Sequence, residues 1–325
     1  MIEIFALLGG LSATGSACIS ITGIVFDTRR SARRPASRTL RFLAMAVIGG
    51  ARCLPRRVGN TVLDAFAPFW LFLTTAFWLF LLLLGIGLLG LFAELMTVRV
   101  YPMRPSLTPQ SVLAVVCGAA LLPPVGLALA TACVYLGTYV CAYRRREREV
   151  ARIAVELTHH LDPDRLAASC AHPAAGPRTD RLLAEWTDWL TDLQSSHLNC
   201  PALIYSASRG TLTWPRAAVA VLDAAALLRA VAPSHSPPQI PVLLAAGTRC
   251  LQEIAWKAGL VAGGAAVSLE YREERSFSDS VRLVVGAGVP EEQDRQDTWA
   301  AFQRMRSAYA PYATALEFRF LHRAG

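Results

Sequence analysis

The stretch "AFAPFWLFLTTAFWLFLLLLGIGLLGLFA", Ala65 to Ala93, contains no ionisable side chain and is bracketed by Asp64 and Glu94. At about 1.5 Å per helical residue it exceeds the roughly 30 Å of hydrocarbon in a bilayer. Inside lipid the backbone N–H and C=O groups must be satisfied within the segment, so such a run is predicted to be a helix that spans the membrane. Ile4 to Phe26 reads the same way. Glu3 precedes it and no basic stretch does, which argues against a signal peptide. A third apolar run, Ser111 to Tyr143, is broken by Pro123-Pro124 and is longer than the hydrocarbon core requires. Either one tilted helix kinks at the prolines, or a short segment precedes a span over Val125–Tyr143.

The whole chain is 54% hydrophobic and only 17% charged, and the apolar excess lies before residue 144. That division predicts an all-α protein of two parts. Residues 1–143 form a transmembrane domain with spans near 4–26, 65–93 and 111–143, and residues 144–325 form a soluble helical domain. Positive charge sets the orientation. Arginines recur from Arg29 to Arg57, opposed only by Asp27, and "RRRERE" (Arg144 to Glu149) follows the third run. Both flanks place the N-terminus outside and the C-terminus in the cytoplasm, in a plasma (inner) membrane. The net charge of +8 would suit a nucleic-acid binder, but its location beside membrane spans argues against one. In segment 27–60, Leu40, Leu43, Ala44, Val47 and Ile48 share a helical face. Two readings stay open there: a helix lying on anionic lipid of the inner leaflet, or a solvated connecting helix.

Beyond Tyr143, "REREVARIAVELTHHL" continues the third span as a helix, and "DPDRLAASCAHPAAGPRT" reads as loop. "DRLLAEWTDWLTDLQSSHL" puts Leu182, Trp186, Trp189, Leu190, Leu193 and His197 on one stripe. "TWPRAAVAVLDAAALLRAVA" opens on Thr213 and Pro215 and is apolar nearly all round, as a central helix would be; Asp223 and Arg229 count against a fourth span. "PVLLAAGTRCLQEIAWKAGL", "SFSDSVRLVVGAG" and "DTWAAFQRMRSAYAPYATALEFRFL" each predict one further helix.

Little in the sequence suggests catalysis. No P-loop, nucleophile elbow, HExxH or kinase signature occurs. The eight cysteines form no CxxC and none stands at metal-ligand spacing from a histidine, so no metal, cofactor, disulfide or enzymatic activity is expected. Asp223 and Glu253 lie within apolar helices, where an unpaired carboxylate is costly. With His197 and Arg306 they form a candidate buried polar cluster, and Arg229 and Arg304 are further possible partners. A structural ion pair, a ligand-sensing pocket and an acid–base site are the three readings of that cluster. Between the second and third spans, Glu94 to Gln110 holds no glycine and no Thr-x-Gly-Tyr/Phe-Gly run, so a backbone-carbonyl potassium filter is absent from the sequence. Arg99 and Arg104 stand there as candidate outer-mouth residues that would oppose cations, beside Pro102, Pro105 and Pro109. A rigid external loop is the plainer reading.

Several stretches carry a resemblance: "TGIVFDTRR", "FAPFWLFLTTAFWLFLLLLGIGLLG", "SHLNCPALIYSAS", "TWPRAAVAVLDAAAL" and "AGVPEEQDRQDTWAAFQRMRSAYAP". With the order of spans, they are similar to bacterial membrane proteins described as ion-channel or two-pore-domain potassium-channel family members. The resemblance implies a channel-like frame and a homo-oligomer, with a tetramer expected. It implies no potassium selectivity, because no position matches the family's filter. If the third run corresponds to the pore-lining helix, Pro123, Pro124 and Gly126 are the candidate gate. Two functions follow: a non-selective or non-conducting sensor or scaffold, and an ion channel gated by its cytosolic helices.

Overall fold

The computed structural model describes residues 2–26, 50, 69, 72–92, 109–160, 163–171, 176–206, 212–260 and 274–320. Among them every regular element is helical. The basic segment 27–60, except Gly50, and residues 93–108, with Arg99 and Arg104, lie outside the described residues. The chain divides into two compact units, the first holding the described helices up to Tyr139 and the second beginning, among those helices, at Val140.

The first unit contains α1 (Ile2–Phe26), α2 (Phe72–Phe92) and the start of α3 (Pro109–His160). Two stretches are long and apolar enough to cross a membrane, α2 itself and Val125–Val155 within α3; in α1 the comparable stretch, Ile4–Ser20, is shorter. Their outward faces are apolar: Phe5, Ile19, Phe72, Phe80 and Val134 are all exposed. A chain folding in water buries such faces, whereas lipid accepts them.

The contacts between α1 and α2 run in opposite directions along the two helices. Trp78 Nε1 donates to Ser20 Oγ at 3.1 Å, while Gly10 faces Gly85 and Leu89, and Gly9 faces Leu88. The pair is therefore antiparallel over most of the length of α2. It is close because two glycines meet: a Cβ on Gly10 would lie 2.8 Å from the Gly85 carbonyl oxygen, and one on Gly85 would run into the Thr14 hydroxyl. Small residues at a crossing let helix backbones approach where no hydrophobic force holds them together. Ala17, Trp78, Leu82 and Ala128 form the buried centre of this unit. Hydroxyls on these helices bond to carbonyls of their own helix, as Thr14 does to Gly10 and Thr131 to Leu127.

Helix α3 carries both prolines without interruption. Of the two sequence alternatives, the separate short segment is not what forms: residues 109–160 are one helix. Two prolines remove two N–H donors, but the turns before and after supply enough bonds for the helix to continue. The helix also runs through "RRRERE" to His160, as the sequence predicts.

In the second unit, α6 (Trp214–Val231) is the hub. Nearly all its side chains are buried, and it contacts α4 (Pro163–Ala171), α7 (Ile240–Lys257), α8 (Glu274–Gly286), α9 (Arg295–Arg306) and α10 (Ala310–Phe320). Helix α5 (Gly176–Asn199) lies along α7 and buries the expected stripe, with Leu183 rather than Leu182 at its centre. A short 3-10 turn, Pro201–Tyr205, follows it.

Two local expectations change. The stretch read as loop forms α4: Leu166, Ala167 and Cys170 fall on one face and are buried, and Asp164 sits favourably in the first turn. The last predicted helix is two, α9 and α10. Pro311 near the start of α10 lacks the N–H that a continuous helix would need. The start of α9 is fixed by Asp294, whose carboxylate accepts from Asp297 N at 2.8 Å.

Candidate functional site

The second unit holds two buried polar centres. The first is built around an arginine of the basic flank. Arg146 is 3% exposed. Val150 and Ile153, four and seven residues on, are also buried, so α3 here presents one face inward and that face begins with a guanidinium. Arg146 Nη1 donates to the Leu203 carbonyl and to Ser206 Oγ, each at 3.1 Å. Its Nε and Nη2 reach Glu147 Oε1 at 3.2 and 3.0 Å. The ring of Tyr143 lies 4.9 Å from the guanidinium carbon, in cation–π range. The 3-10 turn presents the Leu203 carbonyl to the guanidinium, and Ser206 N and Ser206 Oγ also donate to it, at 3.3 and 2.8 Å. Arg146 thereby fastens the C-terminal part of α3 to the turn after α5.

His197 belongs to the same neighbourhood electrostatically. It is fully buried, its Nδ1 lies 2.8 Å from the Leu193 carbonyl, and its ring meets Trp214 at 5.0 Å between centroids. The carbonyl can only accept, so Nδ1 carries the proton and Nε2 is a bare lone pair. Nε2 has no hydrogen-bond partner among the described residues. Burial, and then the positive charge of Arg146, push this imidazole down to about 3; the bond to Leu193 works weakly the other way. His197 is a neutral core histidine.

The second centre joins Asp223, Arg306 and Tyr309. Arg306 Nε donates to Asp223 Oδ1 and Oδ2 at 3.2 and 3.3 Å, and Tyr309 Oη donates to Oδ1 at 2.7 Å. The three groups are 5%, 9% and 0% exposed. Of the four side chains expected to cluster, the structure joins Asp223 with Arg306. Glu253 lies elsewhere, in contact with Gln194 Nε2 at 2.6 Å and Arg249 Nε at 3.0 Å near the surface. Burial raises its carboxyl, and the bonds from Arg249 and Gln194 outweigh that, so its pKa falls below the ordinary value. His197 bonds within α5, and Arg304 is exposed on α9. A third acid, Glu317, is buried and paired with Arg216.

The sequence singled out neither Arg146 nor Tyr309. Arg146 was detectable, because Arg146, Val150 and Ile153 recur at helical spacing in a segment read as a charged flank and a continuing helix, with no inward face assigned to it. Tyr309 was not, since it lies in the break between α9 and α10. In α3 the Pro123 side chain is exposed, and a Cβ on Gly126 would meet nothing within 4 Å. Among the described residues no group of three metal-ligating side chains occurs. No family model, no curated protein and no solved structure matches this chain.

Proposed function

We propose that this chain is a three-span membrane protein of channel-like build without a potassium filter, whose membrane helices anchor and assemble a cytoplasmic helical module that acts as a sensor or scaffold. One observation carries the reading: α3 passes without a break from an apolar run into a segment fastened by the buried Arg146. The third span is α1. Its antiparallel packing against α2 supports placing the two helices in the same environment. The resemblance to bacterial channel-family proteins supplies the expectation of a homo-oligomer, and the missing glycine filter argues for non-selective conduction or none.

Potassium flux into liposomes holding the purified full chain tests this directly. The expected result is no potassium-selective flux. Selective flux that disappears on substitution within 94–110 would overturn the proposal in favour of a channel gated by its cytosolic helices. For topology, Ser106→Cys should label from outside intact cells and Ser234→Cys should not; the reverse pattern refutes the orientation.

A further inference from the structure

The basic cluster at the end of the third apolar run divides its work. Arg146 is buried and holds Leu203, Ser206 and Glu147. Arg145 pairs with Asp192, and Arg152 with Glu185 at 2.6 Å and with Glu149 at 3.9 Å. Both acids of "RRRERE" are thus engaged by arginines, Glu147 by Arg146 and Glu149 by Arg152. Arg144 and Arg148 remain. Both are exposed, and neither has an ion-pair partner among the described residues. They stand four residues apart on α3, so they share a face and lie about 6 Å apart along the axis. Cys141, one turn earlier on that face, is exposed too.

We infer that Arg144 and Arg148 form a headgroup site for anionic phospholipid on the cytoplasmic leaflet. The inference rests on the membrane reading above, which puts the end of the apolar run, Tyr143, at the edge of the hydrocarbon. A guanidinium there meets phosphate first. Its planar donors match phosphate oxygens in pairs, and with Glu147 and Glu149 engaged by Arg146 and Arg152 the charge of this face of α3 is complementary to an anion. A 6 Å separation places one arginine at the phosphate level and the other just above it. The site adds to any contact made by the basic segment 27–60, and it sits on the helix that Arg146 fastens. Bound lipid would therefore bear on the position of α3.

The test is a lipid titration of the full chain in neutral phosphatidylcholine nanodiscs, using fluorescent phosphatidylglycerol as the probe. Juxtamembrane arginines contribute about fivefold each to anionic-lipid affinity. The double variant R144Q/R148Q should therefore weaken phosphatidylglycerol binding by roughly 25-fold and leave phosphatidylcholine unaffected. R152Q, which removes a charge already engaged by glutamates, should change it little. An unchanged affinity in R144Q/R148Q overturns the site, as does an equal loss in R152Q. Displacement of the probe by inorganic phosphate at the same concentration overturns the assignment to lipid. Extraction of the wild-type chain from vesicles by alkaline carbonate is the separate control. A chain that is stripped off refutes the membrane reading and the site with it; a chain that resists, with unchanged lipid affinity, refutes the site alone.

Discussion

Acidification should unfold the second unit through His197, and the size of the effect can be worked out. The side chain is neutral in the folded chain and its pKa is lowered from 6.5 to about 3. Above about pH 6.5 neither folded nor unfolded chain binds the proton, so the full stability is present. As pH falls through 6.5 towards 3 only the unfolded chain takes it up, and stability is lost progressively. Each pH step in that window costs about 1.4 kcal/mol. From pH 7.5 to pH 5 the loss is about 2 kcal/mol, and below both values it approaches about 5 kcal/mol. The cause is geometric: a proton on Nε2 would be buried without a partner and beside the Arg146 charge. Thermal unfolding of the full chain in nanodiscs, followed by tryptophan fluorescence, is the assay, because Trp186, Trp189 and Trp214 are buried in this unit. A 2 kcal/mol loss corresponds to a fall in Tm of roughly 4–8 °C. Carboxylates also titrate at low pH, so His197→Asn is the reference: Asn keeps a donor for the Leu193 carbonyl but does not ionise. The variant should be less stable at pH 7.5 and should lose much less on going to pH 5. Equal pH-dependent losses in wild type and variant would refute the buried neutral imidazole.

Asp223→Asn should lower the stability of the full chain by about 3–5 kcal/mol, because it removes the charge that the buried Arg306 guanidinium is paired with; a Tm within 2 °C or so of wild type would show the pair to be dispensable. Arg146→Met keeps the apolar stem but leaves the Leu203 carbonyl and Ser206 without their guanidinium donor. It should cost about 1–3 kcal/mol and increase proteolysis within 201–212; unchanged cleavage would refute its role as a fastening. Gly85→Val should separate α1 from α2, since even a Cβ would meet the Gly10 carbonyl oxygen at 3.0 Å. A chain with that change should lose the crosslink between cysteines introduced at Ser20 and Trp78, and a retained crosslink would refute the close crossing.

Helix type, α3's passage into the charged segment and the central place of α6 were legible because they depend on local pattern. Where pattern is short, the reading failed. Helix α4 has only Leu166, Ala167 and Cys170 to mark its face, and it forms because α6 and α8 receive that face. The candidate polar cluster was right in one pair only. Burial of Asp223 followed from its apolar surroundings whereas Glu253 came to lie near the surface, and the partner each one found depended on where α9 and α5 came to lie.

By itself the sequence determined where the long apolar runs lie, which of the described segments are helical and which buried charges must find partners, since these follow from the chemistry of each residue and its near neighbours. Only the tertiary structure decided that Arg146 meets Leu203 and Ser206, and that Tyr309 joins Asp223. Such choices arise from distances between residues far apart in the chain, and no local pattern encodes those distances.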